Sequence, residues 1–112
     1  MKVIYAVIVF AALVLPSAAF AGWGAIAYNS ATGASSEAHG YSSRAAAQRA
    51  ALRACAGRCR IMNWEENSCI ALATNSSRGW GEGHGYATQA AAIGAAISAC
   101  SGNCTWKEWA CN

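Results

Sequence analysis

Past residue 22 the apolar positions of this chain fall into short bursts of two periods, and the order of the bursts occurs twice. Trp23–Tyr28 (W-G-A-I-A-Y) and Cys69–Thr74 (C-I-A-L-A-T) alternate loosely and run into turn-rich Asn-Ser clusters, which predicts a strand and a loop at each place. In Trp80–Tyr86 (W-G-E-G-H-G-Y) the alternation is strict: Trp80, Glu82, His84 and Tyr86 share one strand face and Gly81, Gly83 and Gly85 the other. Ser36–Tyr41 follows the same register. Three glycines on one face leave room for a helix to lie close, so the aromatic and polar row is expected to face outward.

The next period is helical. Ser43 and Thr88 stand where a hydroxyl caps the alanine-rich stretches Arg44–Cys55 and Gln89–Cys100, and Gly57 and Gly102 end them. Ile93, Ile97 and Cys100 form the apparent buried stripe of the second helix, and register assigns Leu52 and Cys55 to the first. The opposite face of the second helix (Ala91, Gly94, Ala95, Ser98) is small and uncharged. It predicts either two helices side by side on a sheet or a covering partner, an oligomer through helix 89–100 included. Arg60–Trp64 and Thr105–Cys111 close each half as strands, with Trp64 and Trp109 read as core.

A shift of 45 residues superimposes Glu37, His39, Gly40, Tyr41, Ala54, Cys55, Gly57, Cys59, Trp64 and Asn67 on identical residues of the block Glu82–Asn112. That is an internal duplication, with copies at about 23–67 and 68–112. The fold class is therefore α+β: a duplicated β-β-α-β unit giving a mainly antiparallel sheet of about six strands with two helices on one face.

Lys2, the thirteen apolar residues Val3–Leu15, Pro16 and the Ala19–Ala21 triplet read as a secretory signal peptide cleaved after Ala21. The run is short of the roughly 20 residues a membrane span needs, so the cleaved chain is expected not to insert in a membrane. The location is periplasmic or secreted. Without Lys2 the excess of positive charge falls from +3 to +2, too little to indicate a nucleic-acid partner. Six cysteines in a small exported chain point to disulfides. Cys55 and Cys59 answer Cys100 and Cys104, and Cys69 and Cys111 have no mates in the repeat. The simplest scheme is Cys55–Cys59, Cys100–Cys104 and Cys69–Cys111. Zinc held by the two C-x3-C pairs is the rival, and it fits an oxidising compartment poorly.

Taken together, W-G-A-I-A-Y, S-R-A-A-A-x-x-A-A-L-x-A-C, C-R-I-M-N-W, N-S-C-I-A-L-A and G-x-G-Y-A-T-x-A-A-A resemble the small exported bacterial proteins grouped as domain of unknown function 4189. The likeness spans residues 22–112. It implies a secreted or periplasmic bacterial protein with a cysteine-stapled α+β domain, and carries no activity or catalytic residue with it. The short loops between paired cysteines and the His-Gly-Tyr of each copy depart from the family pattern.

The residues richest in chemistry are the doubled E-x-H-x-Y triplets, Glu37, His39, Tyr41 and Glu82, His84, Tyr86, with Trp80 beside the second. An exposed indole among glycines is a natural anchor, and Trp80 is the strongest single candidate for binding. The expected function is a non-enzymatic module that binds an envelope or extracellular protein or a glycan through these faces, without a cofactor. One alternative is a periplasmic metal-binding protein in which His39, His84, Glu37 and Glu82 converge. Another is a small hydrolase with a His/Glu pair. No G-x-S-x-G elbow, H-E-x-x-H motif or unpaired cysteine supplies a nucleophile or a metal for the latter.

Overall fold

The computed structural model describes residues 22–112; the expected signal peptide lies outside the described residues. Eight elements follow in order: β1 (Trp23–Tyr28), β2 (Ser35–Tyr41), α1 (Arg44–Ala54), β3 (Arg60–Glu66), β4 (Cys69–Thr74), β5 (Trp80–Tyr86), α2 (Gln89–Ala99) and β6 (Thr105–Cys111). The β-β-α-β unit thus occurs twice, all strand pairs are antiparallel, and the class is α+β.

The strands do not form one sheet. Each copy closes its own three-stranded sheet, in the orders β2-β1-β3 and β5-β4-β6. Only Asn67 and Ser68 separate β3 from β4, yet these strands do not pair, and the link turns the chain from one sheet into the other. Asn67 takes a left-handed φ of 53° there, a conformation asparagine tolerates better than most residues.

The central strands show why two sheets stack. On β1, Ala25 and Ala27 lie under α1, while Ile26 and Tyr28 point the other way into a cluster with Ile70, Leu72 and Ala110 of the second copy. On β4, Ala71 and Ala73 lie under α2. The eight of these side chains that lie on β1 and β4 are at most 1% exposed. The alternation in these strands is one of size: small residues meet the helix, and large ones fill the space between sheets. The result is four layers, helix, sheet, sheet, helix, and the two helices lie on opposite outer faces. This corrects the expectation that they pack side by side on one sheet.

The helices also bury different residues from those their bulk suggested. Ala47, Ala51, Ala92 and Ala96 are fully buried, whereas Leu52 and Ile97 are 38% and 39% exposed. A Cβ built on Gly81 would run into the backbone of Ala96 and Ala99, and one on Gly83 into the carbonyl oxygen of Ala92. At that separation only alanine fits between α2 and the sheet, so the isoleucines are displaced to the flank. In the first copy the corresponding positions are Ser36 and Ala38; Ser36 Oγ donates to the carbonyl of Ala51. Ser43 and Thr88 cap their helices as expected, each accepting the amide three residues on, Ala46 and Ala91, at 3.1 Å.

Repeated asparagines tie each unit's loops. Asn29 and Asn75 accept turn amides on Oδ1 and donate Nδ2 to the carbonyls of Ala56 and Ser101, inside the small disulfide rings. Asn67 and Asn112 join the end of the third strand to Gly22 and Ser68, just ahead of the first. Asn112 also accepts from the Gly40 amide of the other copy at 3.2 Å and occupies the space above Gly24 that a side chain there would need.

The three disulfides are Cys55–Cys59, Cys69–Cys111 and Cys100–Cys104, and no cysteine is free. Cys69 and Cys111 are register partners on adjacent strands, with Cα atoms 4.0 Å apart. Loop entropy weights this bridge at about 4 kcal/mol and each small ring at about 2 kcal/mol. Urea unfolding of Cys69→Ala/Cys111→Ala should therefore show about twice the stability loss of Cys55→Ala/Cys59→Ala. In the same assay Gly83→Ala should cost about 2 kcal/mol through overpacking. Gly94→Ala, with nothing within 4 Å of the added methyl, should gain about 1 kcal/mol through helix propensity.

Candidate functional site

Stacking two sheets leaves a cleft where their edge strands meet. β2 packs against β6 on one side and β5 against β3 on the other, so each copy's Glu-x-His strand faces the third strand of the other copy. Glu37 and His39 share a cleft of about 480 Å³ with Trp106, Glu108 and Trp109. Glu82 and His84 share one of about 370 Å³ with Asn63, Trp64, Glu65 and Trp23. Both histidines, four of the five glutamates and four of the five tryptophans of the chain line these two clefts.

Cross-strand register explains how the triplets are split. Glu37 pairs with Ile26 and Glu82 with Leu72, which places both carboxylates on the faces turned toward the opposite sheet. A bulge follows. Tyr41 pairs with Trp23 although Ala38 pairs with Ala25, so two residues, His39 and Gly40, oppose Gly24 alone. Gly40 and its mate Gly85 adopt φ of 74° and 79° at these bulges. The extra residue reverses the alternation and sends Tyr41 to the helix side, where it lines a hollow with Ala50 and Ala54. Tyr86, paired with Cys69, is turned in the same way. E-x-H-x-Y is therefore not one face. Glutamate and histidine go to the clefts, and tyrosine goes to the helix flank.

The convergence of the histidines that the metal-binding alternative requires does not occur either. His39 and His84 fall in different clefts, and among the described residues no group of three or more His, Cys, Asp or Glu gathers to hold a metal ion. Trp80 is 46% exposed on the edge strand β5. Trp64, expected in the core, is 41% exposed because its register partner Ala25 puts it at the margin of the α1 layer. There Arg44 lies over it with Cζ 5.2 Å from the ring centroid.

Sequence reading missed the opposite walls, Asn63 and Glu65 on β3 and Trp106 and Glu108 on β6. One signal for them existed: the residue just before each repeated tryptophan, Asn63 or Glu108, is polar in both copies. What faced them required the sheet stacking.

The two clefts differ in how their polar atoms are satisfied. In the first, His39 Nδ1 donates to Glu37 Oε2 at 2.8 Å, and Ser35 Oγ donates to Glu108 Oε1 at 2.9 Å. In the second, His84 Nδ1 stands 3.7 Å from Glu65 Oε2, and Glu82 Oε2 is buried without a partner. Asn63 Nδ2 donates across to the carbonyls of Ala71 and Gly83 at 3.2 and 3.4 Å, and its Oδ1 has no partner. Burial raises the Glu82 carboxyl above the ordinary value of 4.5, with the charge of His84 offsetting part of the rise.

A family model described as a domain of unknown function (DUF4189) matches residues 23–111. The chain belongs to this family. No curated protein and no solved structure matches the chain. Within this DUF4189 chain the matched span begins at β1 and ends with β6, so it contains both copies and both clefts.

A carboxyl whose folded value is raised favours the native state while protonated, and that advantage is lost as pH rises from 4.5 through the raised value. Glu82→Gln should therefore raise the melting temperature at pH 7, with the gain shrinking as pH falls toward 4.5. Calorimetric melts of both proteins across that interval check this.

Proposed function

We propose that this DUF4189 protein is an exported, non-catalytic module that binds a protein or glycan of the bacterial envelope or surroundings through the edges of its sandwich. The observation that carries the reading is the segregation of side chains. A chain with few charged groups collects its histidines and nearly all its carboxylates beside tryptophans in two open clefts. Aromatic walls beside unspent polar groups suit recognition, because an indole supplies large contact area at small entropic cost.

Trp80, Glu82, His84 and Tyr86 make one binding edge, and Glu37, His39 and Tyr41 the other. The apolar leader and three closed disulfides support an oxidising, extracytoplasmic location. Among the described residues no helix is long and apolar enough to cross a membrane.

A second reading, a small hydrolase, draws on Glu82, whose raised proton affinity suits a general acid. It requires turnover of an envelope substrate that Glu82→Gln abolishes.

Affinity capture from envelope extract and culture medium tests the first reading. The oxidised protein should retain a partner that the reduced, unfolded protein does not. Trp80→Ala should weaken retention about tenfold, while Arg53→Ala on the exposed side of α1 leaves it unchanged. Equal retention by wild type and Trp80→Ala, or none by wild type, refutes the reading.

A further inference from the structure

We propose that the cleft between β3 and β5 is a receptor for a single organic cation, an ammonium or guanidinium group of the kind carried by lysine and arginine side chains. The inference rests on the binding reading above and specifies the chemistry of one of its two edges.

Three observations lead to it. Asn63, 4% exposed, lines the cleft with its orientation fixed, since only the amide nitrogen can donate to the carbonyls of Ala71 and Gly83. Its Oδ1 is thereby left as an acceptor with no donor. Glu82 Oε2 is a second acceptor in the same cleft, also buried and also without a donor. Buried acceptors left unmet cost free energy, and a ligand that brings N–H groups recovers it. Glu65 adds a further carboxylate, and Trp23 and Trp64 line the same cleft, where the guanidinium of Arg44 over the Trp64 ring already shows that this wall accepts a cation.

Comparison with the other copy isolates what is special here. There, Glu108 stands at the position of Asn63 and is met by the hydroxyl of Ser35, while Glu37 is met by His39. The residue at the position of Ser35 in the second copy is Trp80, which has no hydroxyl. Divergence between the copies satisfied one cleft with internal partners and left the other with two unmet acceptors, beside a His84 ring that stands 3.7 Å from Glu65 and does not reach them. A ligand bearing several N–H donors and one positive charge matches that set, and an anion does not.

Titration of the oxidised, ¹⁵N-labelled protein with n-butylammonium, n-butylguanidinium, and capped lysine and arginine tripeptides tests the proposal. Acetyl-lysine and citrulline tripeptides serve as neutral controls. Saturable shifts at Asn63 Nδ2, the Trp64 indole and His84, absent with the neutral controls and weakened at least about tenfold in Glu82→Gln but not in Glu66→Gln, support it. Tighter binding of the tripeptides would identify a protein as the source of the cation, and equal binding a free amine.

Lack of shifts with every cation, or binding unchanged in Glu82→Gln with its spectrum folded, overturns it. So does a Glu82 carboxyl that stays protonated at pH 7 by its ¹³C shift and is unaffected by amines, because the proton then serves as the missing donor. A partner captured through Trp80 whose retention survives Glu82→Gln overturns the cation receptor while leaving the binding module intact.

Discussion

Everything in this molecule depends on the central strands β1 and β4 being buried on both faces. Their alanines accept a helix at close range, and their isoleucines, leucine and tyrosine meet the opposing sheet. A lone three-stranded sheet with one helix would expose that larger face to water. Two such units hide it by stacking, so the duplication supplies the second half of a core that one copy lacks. The small contact surface of the alanine layers explains the dense covalent and asparagine bracing. The small disulfide rings fix the helix ends, Asn29 and Asn75 fasten those rings to the turns, and Cys69–Cys111 joins the two outer ends of the second copy.

The clefts are by-products of the same stacking. Sheets packed over their central strands separate at the edges, and the edge strands carry the polar residues that the core rejects. Because the copies meet crosswise, each Glu-x-His strand is read against the third strand of its partner copy, and no cleft belongs to one repeat alone. Differences between copies then act at once on chemistry. Ser35 against Trp80 and Glu108 against Asn63 make one cleft internally satisfied and leave the other with unmet acceptors. The bulges at Gly40 and Gly85 add a second partition by sending the tyrosines to the helix flanks.

All six strands, both helices, their hydroxyl caps and the three disulfides were legible in the chain, because each rests on local periodicity, on residue type at a cap, or on comparison of one copy with the other. The glycine face of β5 was legible for the same reason: Gly81 and Gly83 have the spacing that close helix packing requires. The bulky residues misled. Ile97 and Leu52 look like core, but the face that each helix lays on its sheet is filled by alanines. Trp64 looks buried, but its register places it at a margin beneath Arg44.

What lay beyond the sequence has a single physical origin. Side-chain pattern determines which residues share a face and which ends need caps or bridges. It does not determine what the second face of an apolar strand meets, since a helix, a sheet or a partner would each satisfy the hydrophobic requirement. The choice of a sheet from the other copy was made in three dimensions, and it drew Asn63 opposite Glu82 and Glu108 opposite Glu37. It also kept His39 and His84 apart, each at the edge of its own sheet.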